Sequence, residues 1–458
     1  MKKIVIILLL AFFVIALLPI VGNNLVENKL DDRLSTLSSY GFELSKAQTN
    51  SSYLSTKKHY EFLLKDSQKF IAYLKKYSDK QAPEYVKAAL EGVLVGADVE
   101  YSNIPFMKEI SIDIYPLRLS KKMVSYVKEE DLDFYSYLEK FLRSKGVLYH
   151  INYNIVSEDF DGFLKDIKES HTLKDGTKLT LNLLDATYSG NGELIAPNRL
   201  ISHVKKINLE VDTQKTDIIF NLDGFSSSAN FMSQGTYVNA GDLKSAEIMI
   251  DRDGEDILIK ANEIKVNLSS NTQGDKAELN ARTSLDKLSI KSDKFDVDMK
   301  DFTYDIALSE LEKDSFEKLR VLISRMKISS TSSLEEEMKS AIVEMLSYGL
   351  KLNIAQLALE NITLNKTQNL EGFDIELTLI VKEDSDLAKK IDRSPLLVAE
   401  NIEMTTDIKL SNPLYEKLTK GLPATNMLKS LAKQESDGIR FKIVFLDGQF
   451  KVNGKAMQ

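Results

Sequence analysis

The sequence predicts an α+β fold in which β-strands dominate: an N-terminal transmembrane helix, then an elongated antiparallel β-meander with a few amphipathic helices. Three observations lead to this prediction. The chain opens with a long apolar run behind two lysines, apolar residues alternate with period two from residue 147 onwards, and helical periodicity is confined to a few segments. A sheet with one apolar face must cover it with helices, with a second sheet, or by curling into a groove.

The apolar run at the N-terminus indicates where the protein resides. Lys2 and Lys3 precede a stretch from Ile4 to Val21 that only Pro19 interrupts, which is near the length of a bilayer-spanning helix. The two lysines should stay in the cytoplasm, so the bulk of the chain lies outside it. A cleaved signal peptide is the alternative, but the flanking residues lack a small-residue cleavage site, so we favour an uncleaved anchor.

Composition excludes several classes of protein. With 458 residues, of which 43% are hydrophobic, the chain can bury a sizeable core. Cysteine is absent, which excludes disulfides, thiol chemistry and thiolate metal sites. The net charge of −8 is spread thinly and no basic block could follow a phosphate backbone, so we expect no nucleic-acid partner.

The composition and periodicity divide the chain into five predicted segments. They are the signal anchor (1–22), a mixed α/β region (23–146), an antiparallel β-meander (147–312), a helical block (313–350), and a C-terminal β region with one helix and a terminal hairpin (351–458).

Two stretches of the mixed region, 66–95 and 121–145, have helical character. In the second, the apolar residues that recur at helical spacing are Leu132, Tyr135, Leu138 and Leu142. From residue 147 the period changes to two, which predicts a half-buried strand with His150 on its polar face.

The meander contains several short alternating runs, which we interpret as separate strands. They include KLTLNLL (178–184), KINLEV (206–211), KFDVDM (294–299) and FTYDIAL (302–308). One apolar and one polar face are expected of such a sheet.

The acidic stretch DRDGED, residues 251–256, lies between two alternating runs. A calcium loop would need a bidentate glutamate at position twelve, and counting from Asp251 that position is Asn262. Asp253-Gly254 is instead a strong signal for a hairpin turn, because glycine accepts a positive φ without strain. We therefore predict a solvated hairpin there.

The helical block carries one apolar stripe, formed by Leu334, Met338, Ala341, Met345 and Tyr348. Met338 and Met345 could bind a hydrophobic ligand, although we favour packing of their side chains between the helix and the sheet. Farther on, alternating runs resume at 373–379 and 402–408, a helix is predicted near 412–435, and Asp447-Gly448 predicts the turn of a closing hairpin.

No catalytic or metal-binding motif emerges. The four histidines, His59, His150, His171 and His203, have no partner histidine at metal-ligand spacing, so surface or edge positions are expected. Ser-x-x-Lys occurs repeatedly in this Ser- and Lys-rich chain without the accompanying motifs of the penicillin-binding enzymes. We predict no catalytic residue, no cofactor and no metal site.

Several stretches resemble the YdgA-like family, bacterial membrane-anchored periplasmic proteins of unknown function. They are the lysine-led anchor, the strand–DRDG–strand hairpin, KFDVDMKDFTYDIALSEL, FLDGQFKVNGKAM and LEEEMKSAIVEMLSYGLKLNIAQLALENITLNKTQNLEGFDIELTLIV. The resemblance covers most of the chain beyond residue 240. It implies a single-pass inner-membrane protein with a periplasmic bulk, and it supplies no functional residues.

These observations favour a non-enzymatic envelope protein with a β-groove for a lipid or another hydrophobic ligand. The predicted groove residues are Val297, Met299, Tyr304, Ile306, Ile375, Leu377 and Leu379. A closed core made of the same residues is the competing interpretation, and it is slightly favoured because apolar residues are usually buried.

Two other functions stay open at this point. The first is an adhesion or scaffold module that binds envelope proteins through exposed strand edges. The second is a hydrolase with an unrecognised site, which would require the fold to gather His150, His203 and acids in one cleft.

Overall fold

The computed structural model describes residues 37–74, 89–103, 109–193, 196–213, 215–233, 235–252, 255–326, 332–420 and 429–457. Strands account for 62% of the structure and they pair antiparallel, so the predicted β-dominated fold is confirmed. The predicted anchor, from Lys2 to Val21, lies outside the described residues. Among the helices that are described, none has the length and hydrophobicity to cross a bilayer.

The chain divides into two compact units, Met1–Asn230 and Phe231–Gln458. Unit 1 contains a sheet in which neighbouring strands pair in the order β1–β2–β3–β4–β5–β6–β8–β9–β10, with β7 also paired to β8. Its strands are β1 (Phe42–Ser51), β2 (Ser55–Leu64), β3 (Leu94–Ser102), β4 (Glu109–Arg118), β5 (Tyr149–Asn154), β6 (Asp159–Leu164), β7 (Ile167–Thr172), β8 (Lys178–Glu193), β9 (Ala196–Asp212) and β10 (Thr216–Ser233).

The described helices of unit 1 include α1 (Ser67–Leu74), α2 (Lys121–Glu130) and α3 (Leu132–Arg143). The helical prediction for 121–145 is confirmed, with a break at Asp131 that caps the start of α3 through a hydrogen bond from Phe134 N. The helical prediction for 66–95 holds for α1 and is wrong at its end. Val95, which is 1% exposed, lies in β3, because Val95, Ala97 and Val99 alternate into the core.

The predicted apolar stripe of α3 is also partly wrong. Leu138 and Leu142 are buried as expected, but Leu132 is 63% exposed because it occupies the first helical position beside the Asp131 cap. His150 lies on β5 between buried Tyr149 and Ile151, so its predicted place on the polar face is confirmed. It is half-buried in an interior strand, however, which corrects the expectation of a surface or edge position.

Unit 2 contains a second run of antiparallel strands, paired in the order β11–β12–β13–β14–β15–β16–β17–β19–β20–β21, with β18 on β19. The strands are β11 (Thr236–Arg252), β12 (Glu255–Asn271), β13 (Lys276–Ser292), β14 (Asp296–Glu312), β15 (Leu350–Leu364), β16 (Gln368–Val381), β17 (Ile402–Leu410), β18 (Lys433–Glu435), β19 (Gly438–Leu446), β20 (Gln449–Val452) and β21 (Lys455–Ala456).

The helices of unit 2 follow β14, β16 and β17. They are α4 (Lys313–Met326), α5 (Ser332–Ser347), α6 (Leu387–Arg393), a 3-10 helix (Pro395–Asn401) and α7 (Asn412–Thr419). The predicted helical block at 313–350 contains two helices, α4 and α5, and Met345 of α5 is buried. The helix predicted near 412–435 is present as α7, but residues 433–435 form β18, because they pair with β19 across a tight turn.

KFDVDM and FTYDIAL, predicted as two strands, form one continuous strand, β14. The alternation changes phase between them, from Val297 and Met299 to Phe302 and Tyr304, and this change resembles a turn in the sequence. At that point Asp301 has a φ of 53°, in the left-handed region. We interpret Asp301 as a kink that lets the apolar face continue across the change of phase, while the register with β13 is the same on both sides of it.

The same device recurs in alternate strands. A left-handed residue interrupts five strands: Asp185 in β8, Gly224 in β10, Glu263 in β12, Asp301 in β14 and Glu371 in β16. The first four of these residues follow one another at nearly equal intervals along the chain. In every case an apolar residue stands one or two positions farther on. This is a structural repeat of hairpins that no repeat of residue identities reveals.

Candidate functional site

Unit 2 presents one sheet face that is apolar from β12 to β19, called here the apolar face. Strand register aligns its side chains in cross-strand rows, in which directly opposed residues contact each other. Three rows are Val266–Thr283–Tyr304–Leu357–Ile375–Ile408–Phe441, Leu268–Ala281–Ile306–Ile354–Leu377–Thr406–Ile443 and Leu279–Leu308–Leu352–Leu379–Met404–Phe445.

The register brings the predicted groove residues together on β14 and β16, the two strands that flank β15. Tyr304 and Ile306 of β14 are separated from Ile375 and Leu377 of β16 by a single strand, β15. Leu379 continues the β16 side of this patch. On the other side of the Asp301 kink, two further rows are Ile248–Ile259–Ile290–Val297–Leu364 and Ala246–Ala261–Leu288–Met299–Ile362.

The described helices cover this face only in part. At one end α4 and α5 bury Leu311 and Leu350, which are 0% and 7% exposed. At another, α7 contributes Tyr415 to a cluster with Phe441. Between these ends all seven predicted groove residues are half-buried, and Leu268, in the row of Ile306, is 39% exposed. The central rows are thus packed by their strand neighbours and remain accessible from above.

The opposite face of the same strands is polar. Lys260, Ser289, Asp298 and Thr363 form a row there, next to the row that contains Val297. Lys260 Nζ pairs with Glu247 Oε2 at 3.2 Å on the neighbouring strand. The two faces of the sheet therefore differ in polarity: one carries charged and hydroxyl side chains, and the other carries apolar side chains.

The hairpin predicted at DRDGED is present. β11 and β12 pair up to Asp251 opposite Asp256 and Arg252 opposite Glu255, while the turn residues Asp253 and Gly254 lie outside the described residues. The charge of Asp251 raises the pKa of the Asp256 carboxyl. Within the described ranges, no cluster of three or more acidic or histidine side chains has the geometry to hold a metal ion.

Unit 1 contains a partly open apolar pocket between α3 and strands β7, β8 and β9. It has a volume of about 180 Å³. Its lining residues are Phe134, Tyr137, Leu138, Phe141, Leu142, Val147, Leu164, Ile167, Glu169, Ser170, His171, Leu179, Thr180, Leu181, Leu183 and Ile207. The aromatic residues of α3 form its roof, and leucines of β8 form its floor.

Polar groups are gathered at one side of this pocket. The Tyr137 hydroxyl donates a hydrogen bond to Glu169 Oε2. Burial and the neighbouring Glu169 carboxylate together raise the pKa of Tyr137. The His171 ring stacks on Tyr137 with ring centroids 4.6 Å apart and lies 5.1 Å from the Phe134 centroid. The pocket therefore combines an apolar interior with one carboxylate.

A second polar cluster lies on the other side of the unit 1 sheet, where one cross-strand row contains His59, Asp98, Asp113 and His150. His59 Nδ1 is 2.6 Å from Asp98 Oδ1, and His150 Nδ1 is 2.8 Å from Asp113 Oδ1. Lys145 Nζ joins the two pairs, at 2.5 Å from Asp98 Oδ2 and 3.7 Å from Asp113 Oδ2.

This network shifts the titration of its members. Burial raises the pKa of Asp98, but hydrogen bonds from Lys145, His59 and Tyr115 outweigh it and hold that pKa below its usual range. For Tyr115 both effects act together, since burial and the hydrogen bond to Asp98 raise its pKa. An open cleft of about 710 Å³ lies beside His59 and Asp98, lined mostly by polar residues of β1 to β4.

The structure does not bring together His150 and His203, the two histidines that a hydrolase site would have required. His150 and His203 share a row, but Phe163 and Thr187 stand between them on two intervening strands. The structure gathers His150 with His59 instead, through Asp98, Lys145 and Asp113. The ring nitrogens of His59 contact the carboxylates of Asp98 and Glu61. Those of His150 contact Asp113 Oδ1 and Asn152 Oδ1.

Sequence reasoning missed both unit 1 sites. For the pocket, the signal was the spacing of Phe134, Tyr137 and Phe141 on one side of α3. For the cluster around Asp98 no local signal exists, because its members come from β2, β3, β4 and β5 and meet only through strand register.

Comparison with known proteins gives no relative for this chain: no family model, no curated protein and no solved structure matches it. The resemblance to the YdgA-like family stays a prediction.

Proposed function

We propose that this chain is a non-enzymatic envelope protein of YdgA-like type, and that the apolar face of unit 2 binds the acyl chains of lipids. The observation that carries the proposal is the set of half-buried apolar rows around Tyr304, Ile306, Ile375 and Leu377, between the ends that helices cover. Monomeric soluble proteins rarely leave a continuous apolar patch of this kind exposed unless it binds something.

The dimensions and chemistry of the face suit an extended chain of methylene groups. Adjacent strands lie about 4.8 Å apart, so a ligand that follows a row crosses one apolar side chain per strand. Burial of each methylene group contributes about 0.8 kcal/mol. A ligand that covers several strands therefore gains enough free energy to offset its own ordering, without a single polar contact on the face.

The proposed location follows from the sequence. Lys2, Lys3 and the run from Ile4 to Val21 would hold the chain in the inner membrane, with the sheet on the periplasmic side. An anchored protein with an exposed apolar face can take up lipid from the bilayer beside it. This location is part of the proposal and rests on the predicted anchor.

The first experiment is native mass spectrometry of the full-length chain, purified from membranes in a mild detergent. We expect discrete added masses that match phospholipid or fatty acid. A bare monomer mass, together with no uptake of a fluorescent fatty acid, would contradict acyl-chain binding and favour a closed core.

A site-specific experiment locates the ligand. A photoreactive amino acid replaces Leu377, which points into the apolar face, or Glu376, its exposed neighbour on the other face of β16. We expect lipid adducts at position 377 and none at 376. Equal labelling at both positions would indicate detergent-like, unspecific contact and would contradict the proposal.

A scaffold function is favoured by one observation of its own. In β1 every residue after Phe42 is exposed, and within the described residues this strand pairs only with β2. An exposed strand edge can add a strand from a partner protein. A photoreactive residue at Leu44, which is 41% exposed, should then form protein adducts in intact envelopes, and their absence would contradict this function.

A further inference from the structure

The pocket beneath α3 in unit 1 has the size of a small-molecule site. Its volume of about 180 Å³ is close to that of an engineered cavity of about 150 Å³ that stays dry and binds benzene. The space is held open by the fold: a Cβ at Gly146 would lie 2.2 Å from the Phe141 ring, so glycine there leaves room for the ring that forms part of the roof.

The walls are aromatic on one side and aliphatic on the other. Phe134, Tyr137 and Phe141 project from α3, and Tyr137 and Phe141 stack with centroids 6.4 Å apart. Leu181 and Leu183 of β8 close the floor. Such a lining accepts a short alkyl chain or a single ring and offers it no hydrogen bond in the interior.

The charge at the polar side of the pocket indicates which head group a ligand would carry. Glu169 is a lining residue, and its carboxylate accepts a hydrogen bond from the Tyr137 hydroxyl. Across the described residues no lysine or arginine is ion-paired with Glu169. A carboxylate beside aromatic ring faces attracts a cation and repels an anion.

We propose that this pocket binds an amphiphile with an ammonium head and a short apolar tail. The ammonium group lies against the Glu169 carboxylate, and the tail fills the space above Leu181 and Leu183. A free alkylamine and the amine head of a lipid share this chemistry. The site is independent of the apolar face proposed above, since every residue that lines it belongs to unit 1.

The test compares three ligands that share one tail: hexylamine, hexan-1-ol and hexanoate. Their affinities are measured by calorimetry on the full-length chain in micelles at about pH 8, where an ordinary imidazole is neutral, with empty micelles as the blank. We expect hexylamine to bind tightest, hexan-1-ol more weakly, and hexanoate not at all. Equal affinities for hexylamine and hexanoate, or no binding of any ligand, would overturn the proposal.

Variants identify the groups responsible. Glu169→Gln keeps an acceptor for Tyr137 and removes the charge, so it should weaken hexylamine roughly five- to tenfold and leave hexan-1-ol within about twofold. The matched control is Glu210→Gln on β9, which lies on the opposite face from Leu209 and Val211 and should change nothing. An unchanged affinity for hexylamine in Glu169→Gln would overturn the assignment of the head group.

Two further variants separate this site from the apolar face of unit 2. Leu181→Phe should fill the pocket and abolish binding of hexylamine and hexan-1-ol. Leu377→Lys, in unit 2, should leave both affinities unchanged. The two-site assignment is overturned if Leu377→Lys abolishes hexylamine binding while Leu181→Phe does not.

Discussion

Lys145 Nζ lies 2.5 Å from Asp98 Oδ2, although β4, α2 and α3 separate the two residues in the sequence. Lys145 follows the end of α3 with a φ of 53°, in the left-handed region where helices commonly end. Its ammonium group also lies 4.3 Å from the Tyr115 ring centroid. One residue thus connects the end of a helix to the polar face of the sheet.

Removal of the Lys145 charge should reduce the protection of β3 amides from exchange at neutral pH. Lys145→Met leaves Asp98 with only His59 and Tyr115 as partners, at a cost of about 0.5–1 kcal/mol, since both side chains are about a third exposed. Hydrogen–deuterium exchange of β3 peptides should quicken at pH 7. Lys145→Arg should retain most of the protection, and Lys168→Met, whose pair with Asp166 is exposed, should have no effect.

The pair of Lys145 and Asp98 also predicts how the stability effect of Lys145→Met depends on pH. Because the folded-state pKa of Asp98 is lowered, its contribution to stability is complete above the unfolded pKa of about 4 and is lost as pH falls through the folded pKa. The difference between Lys145→Met and the parent chain should therefore shrink between pH 7 and about pH 2. A difference that grows in acid would contradict this sign.

Asp131 is expected to be needed for both the position of α3 and the pocket beneath it. Its carboxylate accepts hydrogen bonds from Phe134 N at 2.9 Å and from Lys174 N at 2.7 Å. Asp131→Ala should cost about 1–2 kcal/mol, because it removes the cap and leaves a second amide unpaired. Faster amide exchange in α3 and weaker binding of hexylamine are the expected results, while Asp133→Ala, on the first turn, should change neither by a comparable amount.

The kink at Asp301 predicts an unusual response to glycine. A left-handed residue other than glycine costs roughly 1 kcal/mol, so Asp301→Gly should leave the chain as stable as before or more stable. Thr303→Gly, in the same strand with regular pairing on both sides and no left-handed φ, should destabilise it by about 0.5–1 kcal/mol. Urea midpoints of the two variants provide the comparison, and a loss of stability in Asp301→Gly alone would contradict this account of the left-handed residue.

Arg440 of β19 and Asp407 of β17 form a two-point ion pair. Arg440 Nε lies 2.8 Å from Asp407 Oδ1 and 3.1 Å from Oδ2, and Nη2 also donates to Oδ2. These hydrogen bonds lower the pKa of Asp407, so the stabilisation is present at neutral pH and is lost as acid protonates the carboxylate.

Arg440→Lys cannot reproduce the two-point contact and should cost about 1 kcal/mol at pH 7. Exchange of β19 amides should report the change, and it should diminish at low pH. Arg320→Lys, in an exposed pair with Glu317 on α4, is the control and should have no measurable effect.

The sequence by itself determined the class of the fold and much of its local structure. Alternation with period two, the helical character of the 313–350 block and the hairpin on either side of Asp253-Gly254 all follow from residues close together in the chain, because strand faces, helix faces and turns are short-range properties. The same reasoning placed His150 on a polar face.

Only the tertiary structure decided which residues meet. It joined KFDVDM and FTYDIAL into β14, because a left-handed residue and a turn produce the same change of phase in a sequence. It brought Lys145 to Asp98 and placed Glu169 beneath Tyr137, contacts that depend on strand register and on the packing of α3. Register is set by the whole sheet at once, so no stretch of sequence contains it.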